Sequence, residues 1–295
     1  MKISDDQISS WTKPWFSNEE ERADKTKKIV ESAVYNHPIL KDLGIRVFSK
    51  GSYPNNTNVR KDSDIDIAVE LQDLIHVNYC DGVTDESAGL TNYTGISSQD
   101  FKYYVGEALE KEFGVIDKSG NKVFRIRGSK KIMDSDVVPC TSYRKYFNWG
   151  CRKGIKLILN SPNGKQNVNY PDKQLENGID KNISTKKRFK NVVRIFKNAN
   201  NYMAENRNSE NYPSFMIECL AYNINNSSYL ANDTWREMII NLCTEAWEYF
   251  KLDEFKQSNR WLEVNGYKYL FHDDQIWTRS SAKQCIKNIY NLLNN

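Results

Sequence analysis

Gly51-Ser52, then eleven residues, then Asp64-Ile65-Asp66-Ile67-Ala68-Val69-Glu70-Leu71 is the stretch on which the reading of this 295-residue chain turns. Ile45-Arg46-Val47-Phe48 is β-prone and runs into Ser49-Lys50-Gly51-Ser52. A glycine at that point lets the backbone approach a ligand, since no Cβ stands in the way. Ser52 can then offer its hydroxyl and N–H to phosphate oxygens. Pro54, Asn55, Asn56 and Asn58 form strands poorly and predict a loop or short helical turn. From Asp64 the pattern alternates strictly. Ile65, Ile67, Val69 and Leu71 share one strand face, and Asp64 and Asp66 share the other.

Two carboxylates at i and i+2 repel, and one would ordinarily keep a proton. A bound Mg²⁺ reverses this by stabilising both anions. The plainer reading is a half-exposed strand with acids on its wet face, although Asp is a poor strand former. Two-metal displacement needs a further acid from a neighbouring strand. Asp136, in Ile132-Met133-Asp134-Ser135-Asp136-Val137-Val138-Pro139, is the candidate, with Pro139 expected to stop that strand. Asp134 would share its face and is a rival. Asp136 is preferred because it immediately precedes the apolar pair leading into the proline.

Further along, Val168 to Gly178 is turn-rich. Asn191 to Asn198 has helical spacing, with Thr185 or Ser184 as N-cap. Another helix is expected to begin near Pro213-Ser214, where proline suits the first turn. Together with Gly51-Ser52, Asp64-Ile65-Asp66 and Asp136-Val137-Val138-Pro139, these segments resemble the cGAS/DncV-like nucleotidyltransferases (CD-NTases), most closely the clade lettered E. That family makes cyclic di- or trinucleotide signals in bacterial anti-phage (CBASS) defence. The likeness spans roughly Lys50 to Asn225.

The resemblance implies an α+β fold: a polymerase-β-like core with a mixed sheet and helices, plus an α-helical C-terminal lobe, nucleotides lying in the cleft between. It implies residues 1–180 as catalytic core with an N-terminal spine helix, and 181–295 as the helical lobe. It implies two Mg²⁺ ions on Asp64, Asp66 and Asp136, with Mn²⁺ able to substitute. Gly51, Ser52, Lys197 and Ser214 are then triphosphate contacts, and Asn177 is a base-reading candidate. Each of the last three has a plainer reading: Lys197 as part of a solvated basic face with Lys187, Arg188, Lys190 and Arg194; Ser214 as a helix cap; Asn177-Gly178 as a turn. The implied partners are NTPs and an effector that binds the cyclic product. Rival functions are modification of a polynucleotide or protein, or an inactive nucleotide-binding scaffold.

Composition is that of an ordinary globular protein, 39% hydrophobic and 27% charged. A net charge of +4 is too slight for a nucleic-acid coat, so no stable nucleic-acid partner is expected. Basic residues do gather at 118–156 and 181–197, where a basic groove would serve triphosphates as easily as a polynucleotide. Six cysteines without a Cys-x-x-Cys pair, and three scattered histidines, argue against a zinc cluster or disulfide scaffold. No zinc insertion of the animal cGAS kind is present. With no apolar leader and no membrane-length stretch, a cytoplasmic location is expected, and the chain is taken as a monomer.

Ser17-Asn18-Glu19-Glu20 reads as a capping box opening a helix to about Tyr35. Strands are expected near 45–49, 64–71, 122–127 and 132–138, and a helix at 99–113. Residues 154–168 read as a hairpin around Pro162-Asn163-Gly164. Later helices are expected at 234–250 and from about Ser281 to Leu293.

Overall fold

The computed structural model describes residues 3–14, 17–59, 64–80, 82–161, 167–252, 256, 260–273 and 275–294. Its helices are α1 (Asp5–Trp11), α2 (Ser17–Tyr35), α3 (Ser98–Phe113), α4 (Pro171–Ser184), α5 (Arg188–Arg207), α6 (Ser214–Asn223), α7 (Trp235–Tyr249) and α8 (Arg279–Asn294). Its strands are β1 (Ile45–Lys50), β2 (Ile65–Tyr79), β3 (Phe124–Ile126), β4 (Ser135–Phe147), β5 (Gly150–Leu157) and β6 (Val168–Asn169). The chain divides into two compact units, one of Phe16–Pro54 and Lys61–Asp172, the other of Met1–Trp15, Asn55–Arg60 and Lys173–Asn295. The boundary expected between 180 and 181 lies inside the unbroken helix α4. The capping side chain of Ser17 and the Pro162-Asn163-Gly164 turn lie outside the described residues.

The first unit is built on one mixed sheet of order β1-β2-β4-β5-β6, with β3 added against β4. β2 and β4 run parallel, and the other pairs are antiparallel. The alternation from Ile65 to Leu71 does what its period dictates. Ile65, Ile67, Val69 and Leu71 are buried in a core with Val30 and Val34 of α2 and Phe101, Val105 and Leu109 of α3. Burying each such side chain is worth about 1.5–3 kcal/mol before the entropy of ordering is set against it. The opposite face carries Asp66 and Asp136 beside a small apolar cluster of Ala68, Cys140 and Ile155.

Two strands outrun their expected ends. β2 continues past an irregularity between Leu71 and Ile75 to Tyr79. Pro139 does not stop β4. It sits after the last residue paired with β3 (Val137) and before the first paired with β5 (Cys140). Its carbonyl accepts from Ile158 N at 3.1 Å on that side. The missing N–H therefore interrupts no ladder.

The second unit packs Phe189, Val192, Ile195 and Phe196 of α5 against Ile217 and Leu220 of α6, Leu242 of α7 and Ile289 of α8. The stretch read as turn-rich is largely the helix α4. Pro171 opens it with a φ already suited to the first turn, and Asn177-Gly178 lies within it, so the turn reading is corrected. A Cβ on Gly178 would stand 3.3 Å from Asn55 Oδ1, a close approach that favours glycine inside the helix. The N-cap position of α5 is Lys187, not Thr185 or Ser184. The Thr185 hydroxyl still accepts from Phe189 N at 3.0 Å. α8 begins at Arg279, which puts Ser281 in its first turn rather than at the cap.

Candidate active site

Asp66 and Asp136 are register partners in the parallel ladder of β2 and β4. Parallel pairing keeps like positions on the same face, so both carboxylates leave the sheet on the side away from the α2–α3 core. Asp64 comes one residue before β2 begins. Asp134, the rival to Asp136, instead braces the backbone. Its Oδ1 accepts from Gly128 N at 2.6 Å, and its carbonyl from Ile65 N at 2.9 Å.

The turn after β1 abuts this pair. Gly51 has φ +78°, and a Cβ there would lie 2.5 Å from Asp66 Oδ2. Both the conformation and the space demand glycine. The antiparallel register sets Lys50 opposite Asp66, and its Nζ stands 3.0 Å from Asp66 Oδ1. Across β4, Arg125 is the register partner of Asp136, with Nε 3.6 Å from Asp136 Oδ1. A second acid, Asp117, lies 3.5 Å from Nη1 of the same arginine.

Burial raises the Asp136 carboxyl above its ordinary value, the Asp66 and Asp64 charges add to the rise, and Arg125 and Lys50 oppose it. Asp64 is raised by burial first, then by Asp134 and Asp66, against Arg125. The acids thus share one field of negative charge. Hard carboxylate oxygens of this kind suit Mg²⁺ or Mn²⁺. As placed, however, no three His, Cys, Asp or Glu side chains among the described residues are gathered closely enough to hold an ion. The protein's own cations, Lys50 and Arg125, balance Asp66 and Asp136. Neither cation was found from the sequence. Lys50 was legible only as the residue before Gly51, and Arg125 as an exposed position between buried Phe124 and Ile126.

The remaining sequence candidates belong to the second unit. Lys197 is not on a solvated face: it is 3% exposed. Its Nζ donates to Thr57 O at 3.1 Å and lies 3.5 Å from Glu218 Oε2. Burial lowers its proton affinity, and Glu218 pushes it back up. The neighbouring basic run also looks inward. Arg194 donates to Thr12 O at 2.6 Å and to Asn56 O, Arg188 to Tyr229 O at 2.8 Å, and Lys181 to Ile224 O. Much of the groove expected at 181–197 is therefore spent on backbone carbonyls. Ser214 is the exposed first residue of α6, whose N-cap is Pro213, without a side-chain cap. Asn177 donates from Nδ2 to Val264 O at 2.8 Å.

Among the described residues no helix is long and apolar enough to cross a membrane. The family model for the cGAS/DncV-like nucleotidyltransferase C-terminal helical domain matches residues 176–294. A cyclic dipyrimidine nucleotide synthase CdnE of Legionella pneumophila is 33% identical over 280 residues, covering 93% of this chain and 92% of that protein. A second cyclic dipyrimidine nucleotide synthase CdnE, from Cecembia lonarensis, is 32% identical and covers 99% of each. The solved Rhodothermus marinus CdnE c-UMP-AMP synthase, with Apcpp and Upnpp, superposes with a TM-score of 0.84 at 25% identity, covering 99% of this chain and 97% of the other. The mixed sheet, the helical second unit and this similarity along nearly the whole length have one meaning: the chain belongs to the cGAS/DncV-like nucleotidyltransferases, among the members called CdnE.

Proposed function

We propose that the protein joins two NTPs into a cyclic dinucleotide, releasing pyrophosphate at each step, as a signal in anti-phage defence. The observation that carries this reading is the Asp66–Asp136 pair, side by side on parallel strands, with the Gly51 turn packed against Asp66. Gly51 and Ser52 hold the donor triphosphate. Asp64, Asp66 and Asp136 are the residues to hold two Mg²⁺ ions, Asp66 and Asp136 exchanging Lys50 and Arg125 for them. When bound, such ions neutralise triphosphate charge and acidify the acceptor hydroxyl.

In each round an acceptor ribose oxygen forms a bond to the α-phosphorus of the donor. The bond from that phosphorus to the bridging oxygen breaks, and pyrophosphate leaves with the electron pair. The hydroxyl proton passes to solvent water, and the role of Asp136 is to complete the metal set beside the acceptor hydroxyl. A second round on the linear intermediate closes the ring. The chain's contribution is positioning and charge compensation. Lys197 and Ser214 support the triphosphate, and Asn177 helps choose the base. The names of the relatives above favour at least one pyrimidine in the product. We place the enzyme in the cytoplasm as a monomer whose product is read by a separate effector.

Mass spectrometry of products from all four NTPs with Mg²⁺ or Mn²⁺ tests this. A small phosphatase-resistant cyclic dinucleotide supports it. A product that forms only with added RNA or protein points to the polynucleotide- or protein-modifying rival.

A further inference from the structure

Asn148 and Trp149 make the turn between β4 and β5, with Phe147 and Gly150 paired across its mouth. Turns favour Gly, Pro, Asn, Asp and Ser, so a tryptophan there needs a reason. Its indole is 67% exposed at the end of the hairpin. It stacks on Phe147 with ring centroids 4.6 Å apart. One residue back, Tyr146 stacks on Tyr79 of β2 at 5.8 Å. Behind these rings come cations. Lys145 is the register partner of Arg152, and Arg144 of Lys153. Lys145 Nζ lies 5.5 Å and Arg152 Cζ 4.8 Å from the centre of the Phe147 ring. Arg144 Nη1 donates to the Tyr146 hydroxyl at 3.2 Å. All of these residues belong to the first unit.

Charge and layering together select the partner. Residues 143–156 carry five Lys and Arg and no Asp or Glu, which calls for an anionic surface. Asp85, after β2, is an acid at this end of the sheet, and it accepts from the Tyr79 hydroxyl. Neighbouring strand positions point to opposite faces, so Lys145 and Arg152 lie on one side of the hairpin and Arg144 and Lys153 on the other. Cations on both sides form a collar, whereas a polynucleotide backbone tracks along one groove. The Lys145–Arg152 pair sits two residues behind the Phe147–Gly150 pair, about 7 Å at the strand rise. That matches the depth of about 5–10 Å to which apolar groups enter the boundary between headgroups and acyl chains. Trp and Tyr favour that boundary, and Lys and Arg favour the anionic headgroups outside it. Asp136 precedes Phe147 by eleven residues on the same strand, so the tip and the acid pair lie about 36 Å apart along β4.

We propose that the β4–β5 hairpin is a docking tip for an anionic phospholipid bilayer. Phe147 and Trp149 enter the interface, and Arg144, Lys145, Arg152 and Lys153 meet the headgroups behind them. Two rings and a few cations give reversible attachment to the surface, not insertion across it. The inference does not depend on the chemistry at the acid pair.

The full chain is sedimented with vesicles of phosphatidylglycerol and phosphatidylcholine, and with vesicles of phosphatidylcholine alone. The parent is expected to bind the anionic vesicles only, less tightly as salt is raised. Combining Lys145→Gln with Lys153→Gln should weaken binding about twenty-fivefold, about fivefold for each cation removed. Lys111→Gln, which removes an exposed cation of α3, should bind like the parent. Vesicles with brominated acyl chains should quench the parent's tryptophan fluorescence. Trp149→Phe keeps an aromatic ring at the tip, so it should still bind while that quenching is lost. A parent that ignores anionic vesicles refutes the proposal, and its retention on a single-stranded oligonucleotide instead would assign the tip to nucleic acid. Undiminished binding by the double variant, or quenching that persists in Trp149→Phe, would mean that another surface meets the bilayer, and the proposal falls.

Discussion

Asp66 and Asp136 face each other across the parallel β2–β4 ladder, each matched to a cation one strand further out: Lys50 on β1 and Arg125 on β3. The site is therefore a row, cation–acid–acid–cation, laid across four adjacent strands. An acid in the middle of such a row is poorly compensated by its like-charged neighbour, which is the condition a divalent cation relieves.

Asp136→Asn separates catalysis from stability. Its raised carboxyl means the ionised form is penalised in the folded protein, so the penalty is fully present above the folded value, shrinks as pH falls below it and is gone below the ordinary carboxylate value. At neutral pH the variant should melt no lower than the parent by differential scanning fluorimetry. Product formation should fall at least about a hundredfold, the scale for loss of one preorganised charged group.

Gly51→Ala should fail for two reasons at once. The residue holds φ +78°, and the new methyl would enter the space of Asp66 Oδ2. A left-handed backbone costs a non-glycine residue about 1–2 kcal/mol. A fall in thermal midpoint, with NTP turnover lost by more than that fall explains, is the expected pattern.

The acid limb of activity should depend on metal. Asp64 and Asp136 both hold protons to higher pH than ordinary carboxylates, and ionised acids are the active form. At limiting Mg²⁺ the activity should therefore decline above the usual carboxylate range as pH is lowered. Raising Mg²⁺ should move that limb to lower pH, measured as pyrophosphate release across a pH series.

The fold was legible where one physical rule acted alone. The period of two from Ile65 to Leu71 placed the core face correctly, and Thr234 caps α7, the helix expected at 234–250, by accepting from Glu237 N at 3.3 Å. It was not legible where neighbours overrode local preference. Pro139 reads as a stop, but the gap between β3 and β5 lets it stay in the strand. Asn177-Gly178 reads as a turn, but packing at Asn55 suits a helical glycine. At the site, the acids and the glycine carry their chemistry in their letters. Lys50 and Arg125 come beside the acids only through strand register, and the burial of Lys197 beside Thr57 in the second unit follows from no spacing in the sequence.

Lys102 offers a stability test remote from the acids. It is buried on α3, and its Nζ donates to Asn121 O and Ile158 O, both at 2.9 Å. Burial pushes it down to about 8 from 10.5. Between those values the unfolded chain binds the proton and the folded one does not. Stability from this group is thus fully present above about 10.5 and is lost as pH falls towards 8. Denaturant melts should show the parent gaining stability over that window relative to Lys102→Met, with the difference flat below it.

The most direct test of the account is nucleotide incorporation by Asp66→Ala against the parent, using labelled NTPs and Mg²⁺, with circular dichroism to confirm the fold. The parent should release pyrophosphate and form a phosphatase-resistant product, and the folded variant should form none. Product at the parental rate from Asp66→Ala would contradict the assignment of these carboxylates to nucleotidyl transfer.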